Sequence, residues 1–382
     1  MKTFPRILIC ALCLFPLASM AKSEAATADP APAQNKIQIA LLLDTSSSMD
    51  GLIDQARTQL WKVVNTFTEA KRDGQTPYVE VALYEYGNSG LSVANNYIRQ
   101  VQPLTRDLDE LSRQLFALKT NGGEEYCGAV IQRALGDLAW DTSAQTYKVI
   151  FIAGNEPFTQ GPVDPRQACK DSIAKGIVVN TIHCGSRQEG INGAWHDGAA
   201  LAEGKYLVID QDKVIAQIPA PQDKAISDLG QELNKTYIGY GEKRAEAEKK
   251  QQQADNDAFS NASAGASVER AKTKASRNYS NTDWDLVDAV NEKKVDPATL
   301  PADELPEAMR TLKPEERAAY VANAAKERAA IQQKITDLNK ERETFLAEAR
   351  KQQAQSGEKT LDEAMVDTTR EQAAKKGYSF KN

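Results

Sequence analysis

The run IQIALLL, Ile37 to Leu43, is apolar at nearly every position. A half-exposed strand alternates, and a surface helix keeps a polar face. A short run with neither pattern reads as a strand covered on both sides, as in a sheet sandwiched between helices. YKVIFIAGN (Tyr147–Asn155) is largely apolar too, IVVNTIHCG (Ile177–Gly185) reads as another strand, and YVEVALYEYG (Tyr78–Gly87) alternates. Helical text separates them. LIDQARTQLWKVVNTFTEA spaces Leu52, Ile53, Ala56, Leu60, Val63, Val64 and Phe67 for one helix face. LDELSRQLFALK and AVIQRALGDLAW read as helices, and PRQACKDSIAKG carries Pro165 near its start and Gly176 at its end. GAALAEGKYLVID is a short helix and a last strand. Strands alternating with helices predict an α/β fold: a doubly wound, mostly parallel, Rossmann-like sheet with helices on both faces. Ligands bind such sheets at the carboxyl ends of the strands. Asp44 ends the first one.

The N-terminus reads differently. MKTFPR carries Lys2 and Arg6, ILICALCLFPLASM is apolar, and Ser19-Met20-Ala21 supplies small residues for cleavage. Residues 1–21 are expected to be a secretory signal peptide, and residues 22–36, rich in Ala and Pro, a linker. The chain is therefore expected to be exported, with the periplasm favoured over the extracellular space. With 47 basic and 53 acidic residues, its net charge is −6, and loss of the signal makes it more negative. That disfavours nucleic acid and anionic membrane as partners. After the signal, no stretch reaches the roughly 18 apolar residues of a transmembrane helix. Cys127, Cys169 and Cys184 remain, with no C-x-x-C pair among them. An exported compartment permits one disulfide. Cys169 and Cys184, on consecutive elements, are the favoured pair, with Cys127 the third candidate; three buried free thiols are the alternative.

Composition shifts near Tyr237. Residues 237–300 read as a polar, partly flexible helical connector, and residues 301–382 as a helical region. A long helix starts at Pro314 with a heptad-like seam of Val321, Ala324, Ile331, Ile335, Leu338, Phe345 and Ala349. Arg328 and Arg342 interrupt it. The seam packs either within its own chain as a bundle or in a coiled coil that self-associates.

Asp44-Thr45-Ser46-Ser47-Ser48 places one carboxylate and two hydroxyls at a strand end. These hard oxygen donors suit Mg²⁺ or Mn²⁺, with Ca²⁺ also admitted, provided neighbouring loops add ligands. The competing reading has Ser46 or Ser48 cap the helix that begins near Gly51. No metalloprotease, nucleophile-elbow or P-loop motif is present. His183 and Cys184 are adjacent on a strand and point to opposite faces. No enzyme is expected.

LLLDTSSSM, LKTNGGEEYCGAVIQRAL and VIFIAGNEP together resemble the three ligand loops of von Willebrand factor type A (vWA) domains. The resemblance runs from about Ile37 to Leu233. It implies a metal-ion-dependent adhesion site, with Asp44, Ser46 and Ser48 from the first loop and Thr120 from the second. The third loop of the family brings an aspartate where this chain has Gly154, leaving Asn155 or Glu156 to stand in. Glu124 and Glu125 either add negative field or serve as carboxylates favoured by a helix N-terminus; the second is preferred. The implied function is metal-dependent binding of a protein that supplies a carboxylate, in envelope assembly or adhesion. The alternative is a non-catalytic envelope scaffold with a degenerate metal site, whose helical region does the binding. The stretch Tyr84–Val93 holds either packed tyrosines or a partner contact beside the site.

Overall fold

The apolar run becomes β1 (Lys36–Asp44), buried from Ile37 onward, in a computed structural model that describes residues 35–50, 52–209, 218–260, 264–353 and 361–380. The expected signal peptide and nearly all of the linker lie outside the described residues. After β1 come α1 (Ile53–Thr68), β2 (Tyr78–Tyr86), β3 (Ile98–Thr105), α2 (Leu108–Ala117) and α3 (Cys127–Asp137). Then follow β4 (Tyr147–Gly154), α4 (Pro165–Ala174), β5 (Ile177–Cys184), α5 (Arg187–Asn192), α6 (Trp195–Leu201) and β6 (Tyr206–Ile209). The remainder is helical: α7 (Asp223–Glu232), α8 (Arg244–Ser260), α9 (Ala264–Ala275), α10 (Leu286–Asn291), α11 (Glu307–Arg310), α12 (Pro314–Gln353) and α13 (Leu361–Ala374).

The strands form one sheet in the order β3-β2-β1-β4-β5-β6. All neighbours are parallel except β2 and β3. β3 is the strand the sequence did not announce. It carries Pro103, which an edge position tolerates because no ladder needs its missing N–H on the open side. β1 lies at the centre, which explains its unbroken apolar text. The chain leaves β1 towards β2 on one side and later returns to β4 on the other. The crevice between the carboxyl ends of β1 and β4 is therefore the topological switch point.

Side chains of β1 divide between two interiors. Ile37, Ile39, Leu41 and Leu43 meet α1, α2 and, unexpectedly, Met365, Ala373 and Tyr378 from the end of the chain. Ala40 and Leu42 meet α3, α4 and Trp195. The cysteines follow the same division. Cys127 and Cys169 lie in the second interior and Cys184 in the first. All three are buried and free. The expected Cys169–Cys184 bridge does not form because the sheet stands between the two side chains.

The helical remainder packs on the sheet layer. Asn65 of α1 donates to the Glu269 carboxylate (2.7 Å) and accepts from Thr273 (2.6 Å). Arg270 reaches Asp109 of α2 at 2.6 Å. The seam of α12 faces its own chain: Ile331 and Ile335 pack with Ile226, Leu233 and Val268, and Val321 packs with Leu286, Leu305 and Met309. The described residues form one compact unit, and buried bonds cross the expected boundary at residue 237.

Candidate metal centre

Five segments reach the rim above the switch point: the ends of β1, β2, β4 and β5, and the loop before α3. Asp44 is fully buried there. Its Oδ1 accepts the Ser46 N–H at 2.8 Å, while its Oδ2 has no hydrogen-bond partner. Burial raises the carboxyl to about pKa 7; the Ser46 N–H and hydroxyl and the Asn155 N–H oppose the rise, and the Glu125 charge adds to it. The Ser46 and Ser48 hydroxyls stand 2.8 Å apart, and Ser48 Oγ donates to Asn155 Oδ1 at 3.0 Å. A contiguous row of oxygens thus runs from the first loop to the third.

The capping alternative for the serines is not what the chain does. Ser46 precedes a short 3-10 turn (Ser47–Met49) without a side-chain cap bond, and α1 starts after Leu52 without one. Both hydroxyls are left to the rim.

Thr120 takes a different direction. Its hydroxyl donates to the Asp50 carboxylate. It can join the oxygen row only by giving up that bond. The same loop instead brings in a residue that sequence reasoning had placed elsewhere. Glu125 is 5 % exposed and lies before the N-terminus of α3, not in its first turn. A Cβ built on Gly87 would stand 2.7 Å from Asp44 Oδ1 and 2.9 Å from Glu125 Cγ, so both acidic side chains press on the same glycine. Burial raises the Glu125 carboxyl, the Glu156 charge raises it further, and the Ser46 hydroxyl pulls it back. Glu124 is exposed. The burial of Glu125 has no local signature, because GGEEY is equally compatible with two solvated acids.

That close approach depends on glycines. Gly87 has φ +78°, and a Cβ on Gly123 would collide with the Gly87 carbonyl. The two loops are joined by Ser89 N–H to Gly122 O at 2.5 Å and by Asn88 Nδ2 to Lys119 O at 3.0 Å. Asn121 N–H ties the second loop to Thr45 O at 2.9 Å.

At the third loop, Gly154 has no space for a side chain. A Cβ would lie 2.5 Å from Tyr86 Oη, 3.1 Å from Asp44 Oδ2 and 3.1 Å from Trp195. Tyr86 Oη donates to Ala153 O at 3.0 Å, and Trp195 Nε1 donates to Glu156 O at 2.8 Å, so both rings are held in place. Asn155 is the third-loop residue that reaches the oxygen row; Glu156 is half-buried and offers Trp195 its carbonyl. Tyr84 and Tyr86 are buried, as the packed reading of that strand end held, and Val93 is its exposed apolar residue. The His183 ring lies tilted against Trp195 with both ring nitrogens unpartnered, and burial lowers its pKa. Cys184 faces the opposite interior, and burial raises its thiol.

Residues 38–192 match the family profile of the von Willebrand factor type A domain. This stretch, less than half of the chain, is similar to a vWA domain. Similar folds occur in the proximal thread matrix protein 1 of the mussel byssus, solved with a zinc-occupied adhesion-site motif. That match has 14 % identity, covers 47 % of this chain and 43 % of that one, and gives a TM-score of 0.36. The SpRpn10 vWA domain matches at 15 % identity over 46 % of this chain and 88 % of that one, with a TM-score of 0.36. BatB of Bacteroides thetaiotaomicron matches at 15 % over 46 % and 90 %, with a TM-score of 0.35. The chain spans less than half the length of the mussel protein. No curated protein sequence matches.

The residues of the vWA rim fit a small hard cation. Among the described residues no three His, Cys, Asp or Glu side chains form a metal cluster by themselves. Carboxylate, hydroxyl and amide oxygens do converge, and one fully buried carboxylate oxygen accepts no hydrogen bond of good geometry. A buried orphan of this kind is expensive unless something charged or hydrogen-bonding completes it.

Proposed function

We propose that the protein is an exported, non-catalytic binding module whose vWA domain engages a partner protein through a divalent cation. Asp44, Ser46, Ser48 and Asn155 would hold Mg²⁺ or Mn²⁺, with Thr120 and Glu156 as candidates at the margin. The observation that carries this reading is Asp44 Oδ2, buried without a partner at the head of the row Ser46–Ser48–Asn155. When bound, a hard cation supplies an electrophilic position that a partner's carboxylate can complete. The chain's own residues orient that position. The Ser46 N–H fixes Asp44, the Ser46–Ser48 pair aligns the hydroxyls, and Trp195 anchors the third loop. The signal-peptide reading supports export to the periplasm, with a role in envelope assembly or adhesion. Among the described residues no helix is long and apolar enough to cross a membrane.

The competing reading, a scaffold whose helical region binds the partner, draws on the lack of room for a carboxylate at Gly154. Calorimetric titration separates the two. The wild-type chain should bind Mg²⁺ or Mn²⁺ saturably with a dissociation constant of about 1 mM or below. Asp44→Asn should abolish binding, while the metal-free variant unfolds no earlier than wild type because a buried unpaired charge is gone. Absence of saturable binding by the wild type would defeat the metal reading.

A further inference from the structure

We infer that Glu125 supplies the second carboxylate to the cation at this rim, in place of the residue that Gly154 cannot provide. This rests on the metal reading above and adds a ligand to it. Three observations converge.

The first is position. Glu125 and Asp44 press on the same face of Gly87, at 2.9 Å from Cγ and 2.7 Å from Oδ1 for a Cβ placed there. The Ser46 hydroxyl acts on both carboxyls. The oxygen row therefore has acidic residues at its β1 end from two loops, not one.

The second is the absence of a protein cation. Glu125 is buried, yet among the described residues its carboxylate forms no ion pair. The charges acting on it come from Glu156 and Glu124, and Asp44 feels the charge of Glu125 in turn. Buried carboxylates facing one another without a basic partner are unfavourable unless a proton or a cation joins them. Asp44 Oδ2, on the Gly154 side of the same carboxyl, has no hydrogen-bond partner.

The third is exclusion. Tyr86 and Trp195 fill the space a side chain at residue 154 would need. The Thr120 hydroxyl is engaged by Asp50. Of the acidic residues in the second loop, Glu124 is exposed and Glu125 is turned inward. The loop before α3 thus brings its carboxylate to the site from the other side.

The test is Mn²⁺ and Mg²⁺ titration of the full chain by calorimetry, with bound Mn²⁺ followed by electron paramagnetic resonance. Wild type, Glu125→Gln, Glu124→Gln and Asp44→Asn are compared, with circular dichroism as the check on folding. Glu125→Gln keeps size and hydrogen-bonding capacity. It should weaken metal binding about tenfold or more and change the Mn²⁺ spectrum, while Glu124→Gln leaves both unchanged. Should Glu125→Gln not fold, Glu125→Asp, which draws the carboxylate back by one methylene, should fold and bind more weakly. Wild-type binding with an unchanged affinity in a folded Glu125 variant would overturn the role of Glu125 and leave the metal site standing. No binding by wild type would remove both.

Discussion

Gly154 decides the character of the rim by having no side chain. Its Cα hydrogen faces Tyr86 Oη, Asp44 Oδ2 and Trp195. Gly154→Ala would place a methyl 2.5 Å from the Tyr86 oxygen and should cost about 1–3 kcal/mol through overpacking. Tyr86→Phe removes that oxygen. In the Tyr86→Phe background the alanine should therefore cost less, as read from urea unfolding of the four proteins in the cycle. Equal costs in both backgrounds would mean that the tyrosine does not guard this space. The text around residue 154 shows a departure from the family pattern but not its cause. The cause is the meeting of Tyr86, from β2, and Trp195, from α6, over one glycine. The rim positions of Asp44, Ser46 and Ser48 were legible because all three come from one strand end. Thr120 and Glu125 sit on a loop whose path depends on Gly87 and Gly123, so the directions their side chains take could not be read from spacing.

Among the elements, α12 shows how a seam with charges in it is resolved. Arg328 interrupts the apolar series and is 4 % exposed. Its five N–H groups are directed at Thr236 Oγ1, Thr236 O, both oxygens of Asp285 and Asp288 Oδ1, at 2.6–3.1 Å. The guanidinium also lies 4.0 Å from the centre of the Tyr237 ring. Arg342 pairs with Asp223 at 2.6 Å. The seam therefore serves the chain's own α7, α9 and α10, and its arginines fix register within the molecule. A pH effect belongs to this element. Burial, and then the Asp285 charge, raise Asp288 from 3.8 to about 6, while Arg328 pulls it down. The folded protein thus keeps a proton here to higher pH than the unfolded chain. Between about pH 4 and pH 6 it binds more protons, so this group's contribution to stability falls as pH rises through that window. Asp288→Asn should remove that slope. The stability of wild type relative to the variant, measured by urea unfolding at each pH, should decline from pH 4 to pH 6. A constant difference would count against it.

For the molecule as a whole, the end of the chain completes the sheet layer. Gln372 of α13 exchanges amide bonds with Asn180 of β5 at 2.9 and 2.7 Å and accepts from Tyr147 Oη of β4 at 2.8 Å. Tyr378 donates to Lys36 O at 2.9 Å, and Ser379 exchanges backbone bonds with Lys71 at 2.7 and 2.8 Å. A chain ending at residue 353 would leave Tyr147 and Asn180 without these partners and uncover the interior around Met365. Its urea unfolding should show a loss of about 3 kcal/mol or more. An unchanged midpoint would mean that the sheet layer stands without α13.

The sequence by itself determined the layered α/β fold, the strand-end position of Asp44 with its serines, and the long helix with its seam. Each is written in local periodicity or in residues a few positions apart. Tertiary structure alone decided which loop brings its carboxylate to the rim, which side of the sheet each cysteine takes, and that residues 361–380 close the sheet layer. These outcomes depend on contacts between segments far apart in the chain, where whether two groups meet is set by packing and not by spacing along the sequence.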